Sequence, residues 1–167
     1  MKKLPLLFFC VFFMFAGCGS TAAKPVDKFS GEICSVYNGV KIKAEINSIS
    51  NNSLNLKITS PKSLRGYNYS FKNDKLLLTY KNLKLESSKS YLNKRDFSVI
   101  IYNIISSIKK EDNLVLQGSY NSFSEYKGEC ESGDYTLKSD MRTGLIKEVS
   151  IKELKFKIIL KNLKEIK

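Results

Sequence analysis

From Val40 to Asn47 the chain alternates without a break, with Val40, Ile42, Ala44 and Ile46 on one side and Lys41, Lys43, Glu45 and Asn47 on the other. A side-chain period of two is that of a half-buried strand. It recurs often enough here to demand an antiparallel sheet with one apolar face. The dipeptide Asn38-Gly39 suits a type I′ hairpin turn, because both central residues need positive φ. Phe29–Tyr37 should therefore pair with Val40–Ser48, which sets Ile33 and Tyr37 on the apolar face and Cys34 on the polar one. The alternation continues through Leu54, Leu56 and Ile58 until Pro61, which cannot donate into a ladder. Tyr67, Tyr69 and Phe71 come next, and Asn73-Asp74 then turns the chain into Leu76, Leu78 and Tyr80.

One stretch breaks the period. After a polar linker from Ser87 to Arg95, Phe97, Ile100, Ile101, Ile104, Ile105 and Ile108 form a stripe at helical spacing. Asp96 stands at the N-cap position, and Lys109-Lys110 sit where cations suit the helix dipole. The β-branched residues make this a mediocre helix by propensity, so its formation should depend on burying the stripe against the sheet. Strands resume at Leu114, Leu116 and Tyr120, and again from Tyr126 to Cys130. A turn at Ser132-Gly133-Asp134 leads to Tyr135 and Leu137, a turn from Asp140 to Gly144 follows, and the chain finishes through Leu145–Ile151, Leu154, Phe156, Ile158 and Leu160. The fold class is mainly β (α+β): a curved antiparallel sheet or half β-barrel of about nine or ten strands, with one main helix on its concave face.

Two segments carry a family resemblance. Ile58-Thr59-Ser60-Pro61-Lys62-Ser63-Leu64-Arg65-Gly66-Tyr67, followed by Leu76 to Tyr80, resembles the strand, Pro, strand portion of the LolA/LolB/RseB-like lipoprotein-localisation superfamily. Tyr135 to Asp140, then Thr143-Gly144-Leu145-Ile146, is similar to the strand and turn before the last strands of those proteins. The resemblance spans residues 29 to 163. It implies an incomplete barrel whose concave face accepts acyl chains. The family's carriers control closure with an Arg in the cavity; Arg65 follows the Pro61 turn, but the match does not carry that role to it. Residues that would line an apolar site are Tyr67, Tyr69, Phe71, Leu78, Tyr80, Phe97, Ile101, Ile104 and Ile105. The alternative is that they form a filled core, the commoner fate of such side chains on an internal face.

The amino terminus assigns a compartment. Lys2 and Lys3 form a basic start, Leu4–Phe15 an apolar run of signal length, and Phe15-Ala16-Gly17-Cys18 resembles the lipobox of bacterial prolipoproteins. The run is shorter than the roughly 20 residues a membrane-spanning helix needs. By that resemblance residues 1–17 are a signal peptide and Cys18 is diacylated. Residues 18–28 are then a lipidated tether, and 29–167 one domain, held at the cell membrane on its extracytoplasmic side.

Composition narrows the chemistry. The chain lacks His, which removes the Ser-His-Asp triad, His-ligated zinc and the usual neutral-pH proton shuttle. No cofactor is expected and no enzyme activity. The net charge is +12, or +10 with Lys2 and Lys3 set aside. In an anchored protein that favours anionic lipid or wall polymer over nucleic acid, which is not expected as a partner. Lys155, Lys157 and Lys161, opposite Phe156, Ile158 and Leu160, are candidate contacts to such a surface. Glu125, Glu129, Glu131 and Asp134 gather in one region, but their spacing matches no EF-type calcium loop, so no metal is assigned. Of four cysteines, Cys10 leaves with the signal and Cys18 carries lipid. Cys34 and Cys130 either form one disulfide or stay reduced. The expected function is non-catalytic binding of a lipid, an apolar ligand or an anionic envelope component. The alternative is a structural or protein-interaction lipoprotein without a ligand cavity, its partner protein unknown.

Overall fold

The computed structural model describes residues 22–50, 53–110 and 113–166. Eleven strands form one antiparallel sheet: β1 (Phe29–Tyr37), β2 (Val40–Ser50), β3 (Ser53–Ser60), β4 (Asn68–Lys72), β5 (Lys75–Tyr80), β6 (Leu83–Ser88), β7 (Leu114–Tyr120), β8 (Phe123–Cys130), β9 (Gly133–Asp140), β10 (Ile146–Ile151) and β11 (Phe156–Glu165). The helix α1 (Phe97–Ile108) lies between β6 and β7 in sequence, after a single 3-10 turn at Lys89–Tyr91. The spatial order is β6-β5-β4-β3-β2-β1-β11-β10-β9-β8-β7. Two meanders thus meet at a β1–β11 seam, and β6 and β7 are the free edges.

Turn chemistry drives this order. Asn38 and Gly39 both have positive φ, with Tyr37 facing Val40 in the ladder. Asn73 and Asp74 do the same between Lys72 and Lys75, as primed two-residue turns require. The strand count exceeds the expected nine or ten because Tyr80 pairs with Leu83 across Lys81-Asn82 and starts β6 ahead of the expected Ser87–Arg95 linker, in residues to which no strand is assigned from sequence. The β8–β9 turn is Glu131-Ser132, with Cys130 opposite Gly133, so Gly133 and Asp134 belong to the strand.

The core lies between the sheet's inner face and α1. Ile33, Leu56, Leu137, Val149 and Ile158 from the sheet are completely buried, as are Ile100, Ile101 and Ile104 from the helix. Phe71 stacks on Tyr102 with centroids 4.5 Å apart, and Tyr37 meets Phe156 edge-on at 5.4 Å. Asp96 is the N-cap residue, but its side chain makes no capping bond, so the isoleucine stripe rather than the cap fixes the helix. Connecting one free edge to the other obliges α1 to cross the inner face. Among the described residues no helix is long and apolar enough to span a membrane.

The segment expected to be a tether is docked from Ala23 onward. Ala23 donates to the Met141 carbonyl (3.0 Å), Val26 to that of Gly144 (2.9 Å), and Ile166 to that of Lys28 (3.0 Å). Tyr126 and Ser48 hydroxyls donate to the carbonyls of Ala23 and Asp27. Gly144 is what permits the approach. Its φ is +71°, and a Cβ there would stand 2.0 Å from the Lys24 carbonyl oxygen.

Candidate functional site

Under the middle of α1 the inner face is filled. Of the nine candidate lining residues, Phe71, Ile101, Ile104 and Ile105 are fully buried core. Tyr67, Tyr69, Leu78 and Phe97 are half-buried against that core. Tyr80 stacks on Tyr67 with centroids 4.4 Å apart. These side chains belong to one wall, toward the β6 edge, where Leu78 pairs with Leu85 and Tyr80 with Leu83. Leu83 and Leu85 are 72% and 59% exposed, so the wall ends in an open apolar strip.

Space opens at the other end of the helix. A cavity of about 420 Å³ is enclosed by Ile108 and Lys109 of α1, Leu114 and Leu116 of β7, Tyr126 of β8, and Lys24, Pro25 and Asp27 of the docked N-terminal segment. That volume lies within the range of small-ligand sites. Pro25, Ile108, Leu114, Leu116 and Tyr126 give it an apolar wall, and Lys24, Asp27 and Lys109 add charge to the lining. Burial pulls the Lys109 ammonium below its ordinary pKa, partly offset by Asp27, while Lys28 adds to the lowering. Tyr126 bridges cavity and segment through its bond to the Ala23 carbonyl. None of these eight residues stood among the candidates. A signal was present in the strand itself, since the inward positions beside Tyr126 are the small Ser124 and Gly128. Gly128 makes room for the Tyr135 ring, whose Cζ would lie 2.5 Å from an added Cβ. Burial pushes the Tyr135 hydroxyl up to about 12, against a hydrogen bond with Ser107 that lowers it.

A second, polar cavity of about 320 Å³ lies beside it, lined by Asn103, Ser106, Ser107, Lys110, Asn113, Glu129, Cys130 and Glu131. Next to it a clasp joins the two halves of the sheet. Lys89 Nζ meets Glu131 at 2.9 Å, Asp74 at 3.3 Å and the Asn103 side-chain oxygen at 3.3 Å. Burial alone would lower this ammonium's pKa, but the hydrogen bond it donates to Glu131 and the charges of Asp74 and Glu131 outweigh it and raise it. The acidic residues are thereby dispersed: Glu131 is held by Lys89, Asp134 by Lys127 at 3.4 Å, and Glu125 by Lys138 at 3.8 Å. Among the described residues no cluster of acidic or cysteine side chains has the arrangement of a metal site.

Among the described residues the two cysteines, Cys34 and Cys130, are free thiols. Cys34 is on β1 beside outward-facing Lys43, and Cys130 lines the inner polar cavity. Three strands separate β1 from β8. A disulfide needs Cα atoms within roughly 7 Å, so the reduced alternative is the one the fold has. Burial raises the Cys130 thiol's pKa against the lowering from nearby backbone N–H groups. Of the three candidate lysines, Lys157 and Lys161 are exposed on one face of β11, opposite buried Phe156, Ile158 and Leu160, with Lys157 paired to Glu148 at 2.8 Å, while Lys155 precedes the strand in the β10–β11 turn with positive φ.

No family model matches the chain, and no curated protein sequence matches it. Solved structures do. LprF from Mycobacterium bovis aligns over 81% of this chain and 85% of its own, at 11% identity and a TM-score of 0.34. A LolA superfamily protein from Nitrosomonas europaea aligns over 89% and 90%, at 11% identity and a TM-score of 0.47. An uncharacterised conserved protein from Thermus thermophilus aligns over 83% and 78%, at 10% identity and a TM-score of 0.53. At such identities the likeness is one of fold: the described residues form a mostly β protein with one open sheet of eleven strands and a single α-helix packed on it.

Proposed function

We propose that this chain is an envelope lipoprotein, acylated at Cys18, that binds an apolar chain of a lipid in the cavity at the end of α1 and performs no catalysis. The observation that carries the reading is the cavity of about 420 Å³ walled by Ile108, Leu114, Leu116 and Tyr126 at the end of α1. An apolar wall lined also by Lys24 and Lys109 suits an acyl chain with a polar or anionic head. The LolA-like sequence features and the half-barrel architecture support the same class of ligand.

The full-length protein in lipid nanodiscs, exposed to a photoreactive alkyne fatty acid, tests this reading. Crosslinks are expected on the segments holding Ile108, Leu114 to Leu116 and Tyr126, and Leu116→Glu should abolish them while leaving the circular dichroism spectrum unchanged. Crosslinks that ignore Leu116→Glu would refute the site. Metabolic labelling with alkyne palmitate, lost in Cys18→Ala, tests the anchor separately. A second reading, a protein-interaction lipoprotein, is favoured by the exposed Leu83 and Leu85 on the free β6 edge. An unpaired edge with apolar side chains accepts an added strand. Capture of a partner that is lost in Leu83→Lys, with no fatty acid crosslinking, would support it over the first.

A further inference from the structure

We propose that the rim of the sheet where the N-terminal segment docks is a membrane-contact surface that lies flat on an anionic bilayer. The inference rests on the lipoprotein reading of Cys18 and adds an orientation to it.

The rim is continuous. The Ser122 carbonyl of the β7–β8 turn accepts from the Met141 amide and from Lys147 Nζ, the Met141 carbonyl accepts from Ala23, and the Lys28 carbonyl accepts from Ile166 after β11. One surface therefore collects the β7–β8 turn, the β9–β10 turn, the docked segment and the end of β11. Lys24, Lys28, Arg142 and Lys164 are all exposed on it. Of its acids, Asp140 is engaged by Lys147 at 2.9 Å, Asp27 is half-buried and Glu165 is exposed. Tyr120 is 54% exposed at the same turn and stacks on Phe123 with centroids 5.0 Å apart. Basic residues around an exposed aromatic ring match a headgroup layer, where cations meet anionic lipid and amphipathic rings sit at the interface.

Chain length keeps the rim close to the bilayer. Five residue steps separate Cys18 from Ala23, at most about 18 Å when fully extended. Ala23 is bonded to Met141, so the reach is counted from the rim and not from a free end. The opposite end of β1, at the Asn38-Gly39 turn, is about 27 Å further along a nine-residue strand. The rim is therefore held nearer the bilayer than the Asn38-Gly39 end. Lys24 and Pro25 also wall the apolar cavity, so in this orientation its entrance faces the lipid that would fill it.

The chain contains no Trp, which makes a single introduced Trp an unambiguous depth probe. Tyr120→Trp and Val40→Trp variants of the full-length acylated protein would be reconstituted into phosphatidylglycerol–phosphatidylcholine vesicles containing brominated lipid. Vesicle flotation is expected for both. Quenching and a blue shift are expected for the Trp at 120 and not for the Trp at 40, with the quenching reduced several-fold by Lys28→Glu plus Arg142→Glu or by replacing phosphatidylglycerol with phosphatidylcholine. Flotation with equal, weak quenching at both positions would overturn the orientation and leave the anchor standing. Failure to float would overturn the anchor reading, and the orientation with it.

Discussion

Replacing Gly144 by Ala should release the N-terminal segment from the domain, and Gly39→Ala provides the control that isolates the effect. Both glycines have left-handed φ, +71° and +76°. Each substitution therefore carries the same backbone cost, about 1–2 kcal/mol for an L-residue in that region. The surroundings differ. Nothing lies within 4 Å of a Cβ at 39, whereas one at 144 would stand 2.0 Å from the Lys24 carbonyl oxygen. That oxygen belongs to backbone and cannot rotate away, so the segment has to leave. Leaving breaks the bonds from Val26 to Gly144, Ala23 to Met141 and Tyr126 to Ala23. At about 0.5–1.5 kcal/mol each, the three set the extra cost at about 1.5–4.5 kcal/mol if the whole segment detaches. Urea unfolding measures the difference between the two variants, and amide exchange at Val26 locates it. The expected result is a Gly144→Ala midpoint well below that of Gly39→Ala, with Val26 exchange accelerated in the first variant alone. Equal midpoints and an unchanged Val26 exchange rate would refute the reasoning, because the clash could then be absorbed without moving the segment.

Two further outcomes follow from local geometry. Gly128→Ala should destabilise the protein by about 1–3 kcal/mol through overpacking, since the Tyr135 ring it meets is only 1% exposed; combining it with Tyr135→Phe, which removes a hydroxyl oxygen 2.6 Å from the new methyl, should cost less than the sum in a double-mutant denaturation cycle. Asp140 accepts from Lys147 and from the Thr143 and Arg142 amides, which hold its carboxyl below the usual carboxylate range. A depressed folded-state pKa contributes stability above the unfolded value of about 3.9 and loses it as pH falls further. The stability gap between wild type and Asp140→Leu should accordingly shrink from pH 5 to pH 2. It should not exceed about 1 kcal/mol, because the partner Lys147 is exposed and the pair lies at the surface, where solvent screens it.

Where the physics is local, the fold could be read from the chain. Asn38-Gly39 and Asn73-Asp74 carry turns that few other dipeptides tolerate, and the period of two between them does not depend on distant partners. The β6 strand escaped because Lys81-Asn82 is a weak turn signal and because Leu83 and Leu85 lie where alternation has no core to answer to. The cavity escaped for another reason. Ile108, Leu114, Tyr126 and Pro25 come from four separate segments, and whether they close around space or fill it depends on how the N-terminal segment docks. That docking hinges on Gly144, about 120 residues from its partner and visible in sequence only as part of a turn. The nine candidate lining residues come from the β4–β5 part of the sheet and from α1, and periodicity shows that both faces are apolar without showing that they fill the space between them.

The path of α1 has a mechanical consequence. Residues between Ser88 and Leu114 are the covalent link from one free edge of the half-barrel to the other, with twelve of them wound into a helix about 18 Å long. The link acts on the curved sheet as a string acts on a bow. Spreading the edges to admit a bulky guest would stretch it, and its isoleucines are bonded by packing to the very surface that would have to widen. Such a frame opens lengthwise, at the end of the string, more readily than across its width. A guest that is long and thin can enter there without bending the bow.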